Sequence, residues 1–244
     1  SDFTGTLEKG KMANFFIIDG PSYFVASPQV HSTWIEGIPD RFIYNPKVID
    51  KNQTTVLSKE IDQSNKFASK SEGFVKNPQT ILFRNFHLWT CEKEGILQNH
   101  DILVKKGRIK AIGKNLVVDP EERTEIINGK GKHLTPGIID CHSHAMILGG
   151  VNESTLPSTA MVRIADVINS ESTNIERQLA GGVTTCNLLH GSANPIGGQN
   201  AVIKLRLGGS PEELLFNEAP LGIKFALGEN VKQSNWGDKY TTRF

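Results

Sequence analysis

The sequence predicts an α/β plus β chain: a small antiparallel β-domain, then parallel strands joined by helices. Three observations predict this. Short apolar runs separated by turn dipeptides dominate the first half, and a polar stretch with neither a helical nor a strand period interrupts them at residues 45–78. After Pro136 the pattern changes to strand, helix, strand.

At 244 residues and 38% hydrophobic content the chain can build a substantial core. Its 27 Lys and Arg nearly balance 26 Asp and Glu, so no overall electrostatic footprint for a nucleic-acid backbone or an anionic membrane is present. A small ligand of neutral or mixed charge is the expected partner. Cys91, Cys141 and Cys186 are too few and too scattered for a disulfide framework, and an odd number cannot pair fully; free thiols are expected. No apolar run approaches the ~18 residues of a membrane span, and no basic segment followed by an apolar one opens the chain. A soluble chain without a targeting signal is the expectation, in a compartment left open between cytoplasm and periplasm.

Taken in order, "ANFFIIDG" reads as a buried strand closed by Asp19-Gly20, and "HSTWIEGIPD" as a strand that turns at Gly37. Residues 45–78, rich in Lys, Ser, Asn and Gln, read as a linker. "TILFRNFHLWT" is a further strand, and "DILVKKGRIKAIG" a hairpin turning at Lys106-Gly107. "TEIINGKGKHLTPG" repeats that pattern with a turn at Gly129 to Gly131. Beyond it, "GIIDCHSHA" is strand-like, "SESTNIERQLAGG" helix-like, and "VTTCNLL" a β-branched strand. Ser210-Pro211-Glu212-Glu213 is a helix start, with a Ser cap, Pro at the first helical position and Glu at the third. "LGIKFALG" returns to strand.

The residues with chemistry in view begin in "TPGIIDCHSHA". On a strand, positions i and i+2 share a face, so His142 and His144 project together with Asp140 behind them, while Cys141 and Ser143 point the other way. Two imidazoles so placed converge on one cation at about 2.1 Å from each nitrogen. The structural alternative is a polar pair ending a strand. In "LHGSANPIGGQN", His190, Ser192, Asn194 and Gln199 offer hydrogen bonds beside glycines 191, 197 and 198, which suits a substrate pocket lined by His190, Asn194 and Gln199. A tight connector whose polar side chains satisfy its own backbone is the competing reading. His31, His87, His100 and His133 lack ligand-spaced partners and read as surface or edge-strand residues; Cys141 and Cys186, inside strands, read as small core residues.

"GKHLTPGIIDCHSHA" resembles the signature of the amidohydrolase superfamily, in which a small β-sandwich precedes a metal-binding (β/α)8 TIM-like barrel and H-x-H ends barrel strand 1. "ILVKKGRIKAIGKN" resembles the hairpin that precedes it, and "QLAGGVTTCNLLHGSANPIGGQNAVIKLR" resembles the imidazolonepropionase and prolidase-like branch. The resemblance implies a metal-dependent hydrolase of an amide or cyclic C–N bond, acting on a dipeptide-like or imidazolone-like small molecule. It also implies a divalent cation, zinc first, as one or two ions. His142 and His144 would be ligands, Lys224 a carboxylated bridging ligand near strand 4, and Asp140 an acceptor orienting one histidine. Glu229 is the fallback carboxylate, and Lys204 the weaker lysine. The general-base aspartate of the family is expected beyond Phe244.

The first line resembles an ending. "GTLEKGKMANFFIIDG" is similar to the segment that closes an amidohydrolase, and "STWIEGIPDRF" to the final strand pair, although Met12-Ala13-Asn14 departs from the usual acidic-Ala-acidic pattern. The resemblance therefore implies a fragment of a tandem protein. Residues 1–44 would be C-terminal sandwich strands of an upstream module, 45–78 the linker, 79–134 N-terminal sandwich strands, and 135–244 the first half of a barrel. An alternative joins 1–44 and 79–134 in one sandwich. The rest of the same polypeptide is then a partner, and the fragment alone is expected to be inactive. Two rival readings are a catalytically inactive module used for ligand binding or packing, and a sandwich that serves only to form a homo-oligomer.

Overall fold

The computed structural model describes residues 3–20, 29–41 and 80–231. The expected linker at 45–78 lies outside the described residues. The chain divides into two units, the first running up to Gly137 and including Ala180–Gly182, the second taking Ile138–Leu179 and the chain from Val183 on.

The first unit is built on one sheet. Its strands are β1 (Phe15–Asp19), β2 (Gln29–Ile35), β3 (Ile38–Arg41), β4 (Thr80–Trp89), β5 (Ile96–Lys105), β6 (Arg108–Gly113), β7 (Thr124–Asn128) and β8 (His133–Pro136). They are ordered β3-β2-β1-β8-β4-β5-β6, with β7 also paired to β4. β1 is flanked on both sides, antiparallel to β2 and to β8. Phe15 to Ile18 are all buried, so both faces of the strand are covered, and its apolar run accordingly does not alternate with polar residues. The turns are those the sequence announces. Glu36 and Gly37 stand at φ 50° and 80°, Lys106 and Gly107 at 51° and 72°, the left-handed pair that suits two-residue hairpins.

The sheet curls back on itself. Met12 bridges to Arg108, and the Ala13 amide donates to the Gly107 carbonyl at 2.8 Å, so the segment leading into β1 pairs with β6 at the far end of the strand order. Phe15, Trp34 and Phe83 meet inside, with ring centroids 5.0 Å apart for Phe15–Phe83 and 4.8 Å for Trp34–Phe83, both near perpendicular. Edge-to-face pairs of this kind add about 0.5–1.5 kcal/mol beyond their area.

β4 changes parity along its length. Ile81 and Phe83 face the core at odd positions, Phe86 and Leu88 at even ones, because an irregularity between Phe83 and Phe86 inserts an extra residue at Asn85, φ 58°. The Asp101 carboxylate stabilises the kink: it accepts from the amides of Asn85 at 3.1 Å and Leu116 at 3.0 Å. Here the structure corrects the sequence reading. Residues 124–136 do not form a hairpin; β7 and β8 both run parallel to β4, one after the other. The chain steps sideways at the bulge, where the Gly129 amide reaches Arg84 O and the Gly131 amide reaches Asn85 O. Only glycine fits the step, since a Cβ on Gly129 would stand 2.6 Å from the Phe86 ring.

Two histidine expectations also change. His133 is buried, accepting at Nδ1 from Trp89 Nε1 at 2.8 Å, and His87, half-buried, packs against it with ring centroids 5.1 Å apart. Neighbouring strand positions bring both rings to one face, so neither is a surface residue as their lack of ligand spacing suggests.

In the second unit, β9 (Ile138–Ser143), α1 (Thr173–Ala180) and β10 (Val183–Leu188) form a parallel strand–helix–strand step. α1 buries Ile175 and Leu179, one helical turn apart. The expected strand and helix alternation does not continue. β11 (Ile196–Gln199) pairs with β13 (Ile223–Phe225), and β12 (Ala201–Lys204) pairs with β10, both antiparallel. The physical reason is the connection from β10: residues 189–200 carry Pro195 and five glycine or asparagine breakers but no helix, and a parallel return normally needs a crossover. α2 (Pro211–Leu214) has the predicted reciprocal cap, with Ser210 Oγ accepting from Glu213 N and Glu213 Oε2 accepting from Ser210 N. Among the described residues no helix is long and apolar enough to cross a membrane.

Substituting Gly129→Ala is expected to lower unfolding stability by about 1–3 kcal/mol through the clash with Phe86. Gly150→Ala, with nothing within 4 Å of the added carbon, is expected to change it by less than about 0.5 kcal/mol. Urea unfolding followed by tryptophan fluorescence separates the two.

Candidate metal centre

The end of β9 and the middle of β13 bring three nitrogens together. His142 Nε2 stands 3.1 Å from His144 Nε2 and 3.4 Å from Lys224 Nζ. β9 ends at Ser143, so His142 sits on the last strand residues and His144 one position beyond them. The parallel register pairs Ser143 with Leu188, which sets the next carbonyl, Leu189 O, 2.9 Å from His144 Nδ1. Leu189 N returns a bond to Ser143 O at 3.0 Å.

These contacts assign the ring states. A carbonyl only accepts, so His144 carries its proton on Nδ1 and presents a lone pair at Nε2. His142 Nε2 faces that lone pair and the Lys224 amine at once, and one nitrogen with a single proton or lone pair cannot serve both. The His142 imidazole is held below its usual pKa, first by burial and then by the positive charge of Lys224 and by His144, with Asp140 opposing; it favours the neutral, ligating form. A cation accepting both imidazole lone pairs would relieve that conflict. Two imidazoles bound tetrahedrally at about 2.0–2.1 Å would have nitrogens about 3.3 Å apart, close to the separation here. Among the described residues no group of three or more His, Cys, Asp or Glu is placed to share a metal ion; the third group of this cluster is a lysine, which becomes a ligand only as a free amine or a carbamate.

The other expected site residues are elsewhere. Asp140 does not orient an imidazole: its Oδ1 accepts from the His142 amide at 3.1 Å, because a carboxylate two residues back reaches the backbone before the ring. The acceptor that orients His144 is Leu189 O, a main-chain atom that no motif marks; only the β9–β10 register could have revealed it. Glu229 is exposed, and no described bond joins it to the histidines. Lys204, on β12, is buried with its ammonium 5.0 Å from the Phe216 ring centroid.

The glycine-rich connector corrects the pocket expectation. His190 is buried, with Nδ1 donating to Gly191 O at 2.9 Å and Nε2 accepting from Glu153 N at 2.8 Å. Asn194 Nδ2 reaches Glu153 O, Leu156 O and Thr159 Oγ1, while Gln199 Nε2 donates to Ala160 O. Most of these bonds go to backbone, one goes to the Thr159 hydroxyl, and Asn194 Oδ1 is buried without a partner among the described residues; a Cβ on Gly197 or Gly198 would strike His190 or Val162 at 2.6 Å. The glycines admit the protein's own loop. Cys141, expected in the core, is exposed on the edge strand β9 of the sheet order β12-β10-β9, whereas Cys186 on central β10 is buried as expected. Cys186 Sγ donates to Gln178 Oε1 at 2.9 Å, and burial, then the Asp140 charge, push its thiol up to about 12.

Comparison with known proteins finds similar chains. Over 153 residues the chain is 33% identical to the amidohydrolase tasK of Hapsidospora irregularis, covering 54% of this chain and 15% of that protein. It is 28% identical to an imidazolonepropionase of Klebsiella pneumoniae subsp. pneumoniae, covering 46% of this chain and 34% of that protein. A crystal structure of an amidohydrolase from Thermotoga maritima MSB8 superposes with a TM-score of 0.59 at 38% identity, covering 65% of this chain and 42% of that one. Over the matched stretch these likenesses support a relationship to the amidohydrolase superfamily. No family model matches it. It spans about a third or less of these two curated relatives and under half of the amidohydrolase structure.

Iodoacetamide at pH 8 is expected to label Cys141 and leave Cys186 unmodified, since a thiol at about 12 holds only about one part in ten thousand as thiolate there. Both should label in urea, read by peptide mass spectrometry.

Proposed function

We propose that this chain is part of a metal-dependent amidohydrolase that cleaves an amide or cyclic C–N bond in a small molecule of dipeptide or imidazolone type. Its first unit would correspond to the β-sandwich and its second to the opening strands of the metal-binding barrel. The observation that carries the reading is the convergence of His142 Nε2, His144 Nε2 and Lys224 Nζ at the end of a parallel strand, where barrel enzymes build their chemistry.

His142 and His144 would hold a divalent cation, zinc by preference for imidazole donors. When bound, such a cation supplies Lewis acidity toward a carbonyl oxygen and acidifies a water molecule. The chain's own residues prepare for this in separable ways. Leu189 O holds the His144 proton on Nδ1 and thereby keeps Nε2 free. Asp140 fixes the His142 main chain and adds negative charge behind the ring. Lys224, set against an imidazole that it cannot fully satisfy, would take up carbon dioxide as a carbamate, releasing two protons, one from the ammonium and one from the N–C bond-forming step, and exchanging a repelling ammonium for an anionic ligand.

The test is metal content. The chain, equilibrated with zinc and then desalted, is expected to retain it in stoichiometric amount. The His142→Ala/His144→Ala double variant is expected to retain none while keeping its circular dichroism spectrum, and Lys224→Ala to bind about ten-fold or more weakly. Stoichiometric zinc in the double variant would remove the basis of this reading.

A further inference from the structure

The first unit carries a second concentration of charge that the metal-site reading does not use. Its hairpin places Lys105, Lys106, Arg108 and Lys110 within six residues. β6 buries Ile109 and exposes Arg108 and Lys110, as alternate residues of a strand with one covered face do. The segment before β1 runs alongside: Gly10 N donates to Ile109 O at 2.7 Å and Ile109 N to Lys11 O at 2.8 Å, which brings Lys9 to the same edge. Arg108 Nη1 braces the joint on Gly10 O at 3.0 Å.

Between these two segments lies a cavity of about 450 Å³, lined by Lys9, Lys105, Lys106, Arg108 and Lys110 together with two uncharged residues, and by no carboxylate. The nearby acid, Glu122, is already committed, accepting from Lys105 at 2.9 Å and from Thr80 at 2.6 Å. Lys9, Lys106 and Lys110 make no hydrogen bond or ion pair among the described residues. Three ammonium groups held around one concavity repel each other, and a multivalent anion relieves that repulsion through charge-assisted hydrogen bonds. The volume falls in the range of small-molecule pockets, about 300–1,000 Å³. A chain of net charge +1 lacks the broad basic surface of a nucleic-acid binder.

We propose that this cavity binds a small oxyanion carrying two or more phosphate or carboxylate groups.

Isothermal titration of the 244-residue chain with inorganic pyrophosphate, in metal-free buffer at low salt, tests this, with citrate as the carboxylate arm. Saturable binding is expected for at least one probe, and which probe binds tells phosphate from carboxylate recognition. The affinity should fall as salt shortens the screening length. Lys106→Gln and Lys110→Gln are expected to weaken binding about two- to five-fold each, and Lys130→Gln to leave it unchanged. Absence of saturable heat with both probes, equal weakening by Lys130→Gln, or binding confined to a single-stranded oligonucleotide would overturn the proposal.

Discussion

Antiparallel pairing of β1 with β8 is the constraint on which the rest of the structure depends. Phe15 to Ile18 align with Pro136 to His133, and without that ladder β3-β2-β1 would be joined to the strands around β4 only through the segment before β1, which bonds to β6 and to Thr90. The pairing also fixes where the histidine strand begins. Pro136 faces Phe15, the next amide, Gly137 N, donates to Asn14 O at 3.0 Å, and β9 starts one residue later. Asn14 ties the same corner from the other side, its Oδ1 accepting from the Glu36 amide at 2.8 Å.

At the candidate metal centre the decisive atoms belong to the backbone as much as to the side chains. His144 owes its ligating face to Leu189 O, and Leu189 is held in turn by Ser143 O. This closed pair exists because β9 and β10 run in the same direction with Ser143 opposite Leu188; an antiparallel partner would present a different carbonyl. Hydrogen bonding from the distal ring nitrogen fixes both the tautomer and the ring plane, so the position of β10 controls the chemistry at His144 through one oxygen atom.

Much of this was legible in the sequence where a local rule acts alone. The tight turns at Gly37 and Gly107 follow from backbone angles that few other residues adopt, the cap at Ser210 follows from side chains three residues apart, and the H-x-H pair follows from the two-residue repeat of a strand. The reading failed where a distant partner decides. The residues 124–136 look like a hairpin because their turn residues suit one, yet Gly129 serves a bulge in β4, some forty positions earlier in the chain. His190 and Asn194 look like ligands because polar groups beside glycines often are, yet Glu153, Leu156 and Thr159 claim them. Such claims leave no local trace, since all but one of the partners are main-chain groups that every residue carries.

The two-residue repeat that joins His142 to His144 also explains Lys224. Along β13 and its flanks, Leu221, Ile223, Phe225 and Leu227 are all exposed, Leu221 and Leu227 at 94% and 77%. Lys224 and Ala226 occupy the alternate positions, half-buried and buried. The strand thus presents an uncovered apolar face on one side and turns its lysine toward His142 on the other. A register slip of one residue against β11 would exchange the faces, placing a hydrocarbon side chain at the histidines and the ammonium in solvent. The pairing of Ile196 with Phe225 and Gln199 with Ile223 therefore does for Lys224 what the β9–β10 register does for His144. The three nitrogens meet because two separate strand registers agree, and neither register is written in the H-x-H motif itself.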